Sequence, residues 1–415
     1  MTTYRIDAGT LIPGSGPAIP GGVVITSGST IGYAGPAADA PPTPGATTIT
    51  ARTVMPGMWD CHGHFLGITA MDLAKLPMEP LAVRTARATA DLRAALDAGF
   101  TSVREVGGVG IHLAPIIAEG TLPGPAIYAA GAILSTTGGH GDLHALPLDW
   151  VSHFGHHGGE LRLCDGTAEC MRAVREQLRR NAKLIKVCAS GGAFSEVDHP
   201  MHQQFTTAEL RTIVEVAGLA ERAVAAHCHG KPAIMAALEA GVLTIEHGTY
   251  LDDEACAAMK EAGAILVPTL TILSELLATP DSVPPYALAK LRASRDRHAE
   301  AIALAHQHGV TIACGTDIAL SGIDTPNGWG RNGIELELMV RTGLTPAQAI
   351  EAATATAPLT LGPQAPLSGQ LRAGYDADIL TLDIDPLTDI GALADPRHIT
   401  RVWKSGELVK DIARE

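Results

Sequence analysis

The sequence predicts an α/β fold: a (β/α)8 TIM barrel with a small β-sandwich domain built from both chain ends. Three observations predict it. From about residue 51 to 360, short β-branched or apolar runs alternate with longer amphipathic, Ala-rich stretches, the pattern of a parallel sheet covered by helices. The runs number eight, the count that closes a barrel. The ends, 1–50 and roughly 364–415, are instead rich in Gly, Pro, Thr and Asp, and neither is long enough to bury a core alone. The expected division is therefore 1–54 with 364–415 for the small domain and 55–363 for the barrel.

The amino-terminal part carries short strand-like pieces such as "GGVVITSGSTIGYA". The eight barrel strands are then "TVMPGMWD", "TSVREV", "AIYAAGAIL", "LIKVCAS", "RAVAAHCH", "VLTIEH", "AILVPTL" and "VTIACGTD". Helical periodicity falls between them at 81–98, 111–119, 168–182, 206–220, 232–240, 253–262 and 286–308, and after the last strand at 334–342 and 346–356. Thr206 and Thr207 before Glu209 read as a cap, while Gly99, Gly241 and Gly263 close helices. The segments 135–166 and 190–205, rich in Gly, His and Pro, are long enough to build a site. "ADILTLD" and "ITRVWKSGELVKD" supply strands for the carboxyl-terminal half of the small domain.

With 46% hydrophobic and 18% charged residues the composition is that of a globular protein. A net charge of −14 argues against nucleic acid or an anionic membrane as partner, since either calls for a basic patch. A small-molecule substrate fits better. The amino terminus lacks a basic stretch leading into a long apolar core, and no segment offers about twenty uninterrupted apolar residues, so the expected location is cytoplasmic. The seven cysteines, without a Cys-x-x-Cys, read as buried fillers rather than a disulfide framework.

The stretch "MWDCHGHF" (58–65) puts His62 and His64 on one face of a strand, beside Asp60. In a barrel of this kind, catalytic side chains come from the carboxyl ends of several strands, where the strand-to-helix loops converge. Residues able to hold a metal recur at those positions: His62 and His64 on strand one, Lys186 in strand four, His227 on strand five, His247 on strand six and Asp317 on strand eight. Each alone has a structural explanation, but together, in barrel order, they predict a metal site. Arg104 and Arg331 read equally as anion contacts or as structural ion pairs. The cluster "HFGHHGG" (153–159) reads as a solvent-facing loop.

The order "DCHGH", "IKVCASGG", "AAHCHG", "IEHGTY", "CGTDIA", followed by "GRNGIELELMVRTGLTPAQAIEAATATAPLTLG" and "GQLRAGYDADILTLDIDPL", resembles the amidohydrolase superfamily over nearly the whole chain. More narrowly it is similar to the dipeptidase and carboxypeptidase-type members related to imidazolonepropionase, a group that includes Xaa-Pro dipeptidases and ochratoxin amidases. The resemblance implies two divalent metal ions, expected to be Zn2+, which share a hydroxide. His62, His64 and Asp317 would hold the more buried ion and His227 and His247 the more exposed one. Lys186 would bridge both as a carbamate formed with carbon dioxide. Lys183, three residues earlier, should point away from the site.

By the same resemblance Asp317 would be ligand and general acid/base, and His140, in "STTGGHGD", would polarise the substrate carbonyl. His229 occupies a substrate-binding position that is often Tyr and contacts a carboxylate. The function implied is hydrolysis of the amide bond of a dipeptide or N-acyl amino acid, by an enzyme that assembles as a homo-oligomer. Hydrolysis of another amide, a urea or a carbamate on the same framework is the alternative. Lys186 argues against the mononuclear deaminases, and the presence of all six ligands argues against a non-catalytic barrel. "LVPTLTILSELL" suggests an apolar wall and leans toward a hydrophobic or aromatic acyl group, and specificity is expected to lie in the loops 135–166, 190–205 and 270–286.

Overall fold

A computed structural model describes residues 2–322 and 324–413; Met1, Arg414 and Glu415, which the expected small domain includes, and Ile323 lie outside the described residues. Both chain ends meet in one seven-stranded sheet. Thr47–Pro56 lies at its middle, parallel to Tyr4–Leu11, which in turn pairs antiparallel with Ile19–Ser27, with Thr30–Pro36 beyond. Thr47–Pro56 pairs in turn with Ile379–Leu382, placing Met55 opposite Leu380, and Ile399–Lys404 and Glu407–Asp411 complete the order. The alternation of the strands buries Ile6, Leu11, Val24, Val54, Ile379 and Trp403 in a core of its own.

A single residue, Gly57, separates Thr47–Pro56 from Met58–Ile68, so the expected first barrel strand, "TVMPGMWD", is divided between two sheets. Met58–Ile68 lies in a parallel array with Phe100–Glu105 and Ala126–Ala129, and Ile318–Leu320 pairs on its other side. A second parallel array runs Ile133–Ser135, Leu184–Cys188, Ala223–Cys228, Thr244–His247, Ile265–Val267 and Thr311–Ile312, with Leu161–Leu163 at its outer edge. Two backbone hydrogen bonds run between the arrays: the amide of Cys61 donates to Cys314 O at 2.8 Å, and that of Lys183 to Ala129 O at 2.8 Å. Helices cover these arrays, and aliphatic side chains fill the space between helix and strand.

Helices at Leu81–Asp97, Gly110–Ala118, Gly166–Arg179, Thr207–Gly218, Lys231–Ala240, Asp253–Ala262, Pro285–His308, Ile334–Arg341 and Pro346–Ala353 follow the sequence periodicity. Thr206 caps its helix reciprocally with Glu209, as its spacing predicts. Four details differ from expectation. "AIYAAGAIL" breaks after Ala129 into two strands that join different arrays. "VTIACGTD" contributes only Thr311–Ile312 to the second array. The 135–166 segment contains a helix, Leu148–His156, whose His153 and His156 are exposed along with His157, so that cluster faces solvent from a helix rather than a loop. Leu270–Ala278, within the segment 270–286 expected to be a loop, is instead a helix, because Glu335 accepts the amides of Leu270 and Thr271 and stands in for a cap. All seven cysteines are free and buried. Among the described residues, no helix is long and apolar enough to cross a membrane.

Candidate metal centre

His62 and His64 leave the middle of Met58–Ile68, which continues past them to Ile68, and alternation turns both imidazoles to one side. Gly63 between them admits the Trp329 ring: a β-carbon there would sit 2.7 Å from Trp329 Cη2. Trp329 Nε1 also donates to His64 O at 3.2 Å, which fixes the backbone between the two histidines. Asp60 works behind the strand, accepting from the His62 amide, the Thr316 amide and hydroxyl, and Asn332 Nδ2. Strand one is thereby tied to the segment that presents Asp317.

His62, His64, His140, Lys186, His227, His229, His247 and Asp317 all line one cavity. Every site residue expected from the sequence is therefore gathered in one place. Two groups stand out. The ligand atoms of His62, His64 and Asp317 lie within 4.8 Å of one another, and so do those of His227, His229 and His247. Asp317 Oδ1 is 3.2 Å from His64 Nε2 and 3.6 Å from His62 Nε2. Lys186 Nζ reaches to 3.3 Å from His62 Nε2 of the first group. Lys183 instead turns outward to Asn181.

The imidazoles are oriented from behind, each by the ring nitrogen that does not face the cluster. His62 Nδ1 donates to Glu246 Oε2 at 2.7 Å and His64 Nδ1 to Gly107 O at 2.7 Å. His227 Nε2 donates to Gly191 O at 3.1 Å. His229 Nδ1 meets Thr249 Oγ1, and His247 Nδ1 meets Thr269 Oγ1, both at 2.7 Å. This leaves one lone pair per ring for the cavity, the arrangement of metal-ligating histidines.

Electrostatics agree. Burial, followed by the nearby Lys186 charge, pushes the His62 imidazolium down to about 4, and burial pushes His229 down to about 3. His227 and His247 lie well below the usual histidine range, again chiefly through burial. Burial also lowers Lys186, favouring its neutral amine. Burial opposes ionisation of Asp317, but His62 and His64 outweigh it and hold its carboxyl below the ordinary value. Neutral imidazoles and an ionised carboxylate are the donor set a divalent cation requires, so the residues fit a metal.

His247 at the end of its strand, Thr269 just beyond Ile265–Val267 and Asp317 just before Ile318–Leu320 occupy the left-handed region without being glycine, with φ 70°, 57° and 60°. Such conformations cost roughly 1–3 kcal/mol each and concentrate at functional sites. The two arginines singled out from the sequence are both structural. Arg104 is fully buried beneath the site, with Nη2 at 2.7 and 2.8 Å from the Glu246 carboxylate and Nη1 on Thr244. Arg331 pairs with Glu275 at 2.9 Å. Glu246 is the residue that sequence reasoning passed over, although it immediately precedes His247 in "TIEH". Burial pushes its carboxyl up, but Arg104 and His62 prevail and keep it ionised.

The amidohydrolase family profile matches residues 53–409. The chain belongs to the amidohydrolase family. It is 43% identical to the curated ochratoxinase of Aspergillus niger, over 98% of this chain and 86% of that one. The crystal structure of A. niger ochratoxinase superposes with a TM-score of 0.94 at 41% identity, covering 100% of this chain and 97% of that one. A prolidase complexed with N-methylphosphonate-L-proline gives a TM-score of 0.91 at 32% identity, covering 99% and 100%. As an amidohydrolase with such relatives, the chain is a metal-binding hydrolase that acts on amide C–N bonds of small molecules.

Proposed function

We propose that this chain is a binuclear metal-dependent hydrolase that cleaves the amide bond of a dipeptide or N-acyl amino acid. The observation that carries the reading is the pair of ligand groups, His62/His64/Asp317 and His227/His229/His247, in one cavity that buried Lys186 also lines. His62, His64 and Asp317 would hold one zinc ion, His227 and His247 the other, and Lys186 would bridge them as a carbamate. Its neutral amine, favoured by burial, is the form that adds carbon dioxide. When bound, two such ions lower the pKa of a shared water and polarise the scissile carbonyl.

The chain's own groups do the rest. Asp317 takes the proton of the attacking water and delivers it to the leaving nitrogen. His140 stands over the same cavity, its ring stacked 4.3 Å from that of His227, as a second catalytic group. His229 contacts the substrate. Ile272, Leu273, Leu291 and Phe194 line the cavity and favour a hydrophobic or aromatic side chain or acyl group. The names ochratoxinase and prolidase, borne by similar proteins, support an amide whose amine half is an amino acid. Other amides, ureas and carbamates are the alternative substrates.

The same reading takes the two parallel arrays as one closed (β/α)8 barrel over 55–363, supported by the Cys61–Cys314 and Lys183–Ala129 hydrogen bonds. It takes 1–54 and 364–415 as one small domain whose sheet folds over into a sandwich. Tyr4 and Trp403 meet at 5.5 Å from non-adjacent strands, and the Ile31 amide of an outer strand donates to Tyr375 O at 2.8 Å in the segment that leads into Ile379–Leu382.

The test is metal content of the purified protein beside Lys186→Ala, each incubated with N-acyl amino acids and dipeptides including Xaa-Pro. About two zinc per chain, lost with hydrolysis in the variant, is the expected result. One metal in the parent, or an active variant, overturns the bridged binuclear reading.

A further inference from the structure

The histidine-rich stretch 153–159 takes no part in the mechanism above, and the helix Leu148–His156 gives it an order that a loop would not. Asp149, His153 and His157 recur every fourth residue, so the helix and the residue that ends it carry all three along one face. All three line one surface groove, together with Glu79, Arg84 and Glu160. The His153 and His157 rings lie 3.9 Å apart between centroids, with their planes 23° from parallel. His157 Nδ1 donates to His153 O at 2.8 Å, so its proton sits on Nδ1 and Nε2 is the nitrogen left for a ligand. His153 is exposed and its ring nitrogens make no hydrogen bond among the described residues, so that imidazole is free to turn toward its neighbour.

The groove favours a cation. Asp149 is exposed, one helical turn before His153, and forms no ion pair among the described residues. Glu160 is 4% exposed; its Oε1 holds Arg84 at 2.8 Å, which neutralises that guanidinium, while its Oε2 has no hydrogen-bond partner. A hydrated ion would bring donors to a groove whose wall includes an unpartnered carboxylate oxygen. Two imidazoles four residues apart on a helix are the spacing that grips one zinc ion. Imidazole nitrogen suits Zn2+, Ni2+ and Cu2+, whereas Mg2+ and Ca2+ prefer oxygen.

We infer that His153 and His157 form a peripheral metal site that takes a late first-row divalent ion, Zn2+, Ni2+ or Cu2+, through their Nε2 atoms, with Asp149 supplying charge nearby and water completing the coordination. The groove shares no residue with the catalytic cavity. With two exposed imidazoles in place of a buried ligand set, the site exchanges its ion with solvent, is emptied by desalting and fills only at raised free metal. His156 lies outside the groove, its Nδ1 committed to Ser152 O at 2.7 Å, and takes no part.

The experiment is equilibrium dialysis of the full-length, zinc-loaded protein against stepped micromolar free zinc, with metal counted per chain. The parent is expected to take up one ion per chain more than His153→Ala or His157→Ala, and His156→Ala to bind as the parent does. Cu2+ added to the loaded protein should give an electron paramagnetic resonance signal with two imidazole nitrogens that is present in the parent and in His156→Ala and lost in the other two. All three variants should keep the parental Tm without added metal, which shows them folded. Equal zinc uptake by the parent, His153→Ala and His157→Ala overturns the inference. So does a loss in His156→Ala as large as in the other two, which would make the cluster an unselective one. Uptake is read as a difference between parent and variant, so the result stands whether the catalytic cavity holds two ions or one.

Discussion

Glu246 Oε2 lies 2.7 Å from Nδ1 of His62, with both side chains buried, and the same carboxylate holds the Arg104 guanidinium. One acidic residue thus orients a metal-site imidazole and neutralises a buried cation. Glu246→Gln keeps the shape and removes the charge. Zinc affinity should fall about 10- to 100-fold, read by competition with a chromophoric chelator. Glu246→Ala also leaves Arg104 buried without a partner and should cost about 3–5 kcal/mol in denaturant unfolding.

Lys186 presents a different chemistry, because the ligand form proposed for it depends on carbon dioxide. Metal-stripped protein reloaded with zinc in bicarbonate should regain two ions and activity. Reloading in carbon dioxide-free buffer should be slower and less complete, with added bicarbonate restoring it. Equal recovery in both buffers would remove the carbamate from the mechanism.

His229 shares a ligand group with His227 and His247, yet its ring is held by Thr249 rather than by a carboxylate. His229→Asn is expected to keep both zinc ions and raise KM several-fold, with a smaller effect on kcat. Loss of one zinc in elemental analysis would instead make His229 a third ligand of the outer ion.

The metal-free fold should be sensitive to acid. His62 and His140 are pushed down to about 4 and His229 to about 3, chiefly by burial, so each is neutral when folded and protonated near 6.5 when unfolded. Below 6.5 the unfolded chain binds more protons, and stability falls as pH drops from 6.5 toward about 4 and 3. Glu105 and Glu335, raised to about 8 by burial, act in the opposite sense, their contribution fading as pH rises from 4.5 to 8. The histidines are more numerous, so chelator-treated protein should lose thermal stability between pH 6.5 and 5. Zinc-loaded protein should hold its Tm over that interval, because bound metal competes with the protons.

The sequence made His62, His64, Lys186, His227, His247 and Asp317 legible because each breaks an apolar strand with a group that strand burial would otherwise exclude. Their common cavity follows from strand order alone. Glu246 breaks its strand in the same way, but its partners Arg104 and His62 come from other strands, and only the folded array shows that it serves them. The pairing of His153 with His157 was illegible for another reason: the Gly-rich stretch 153–159 reads as a loop, and a spacing of four brings side chains together only on a helix. The helix Leu270–Ala278 was hidden because its capping group, Glu335, is remote in sequence and its apolar residues also suit a wall.

Gly57 alone joins the sheet of the chain ends to the strand that bears His62 and His64. On its other flank Thr47–Pro56 is paired with Ile379–Leu382, far later in the chain. During synthesis, the anchor of the strand that carries His62 and His64 is therefore an open sheet edge until residues 379–382 have been made. A nascent chain that captured zinc early would do so on an unanchored pair of histidines. Metal acquisition is thereby coupled to synthesis of Ile379–Leu382, and truncation ahead of that strand should yield a chain poor in metal even though every candidate ligand is present.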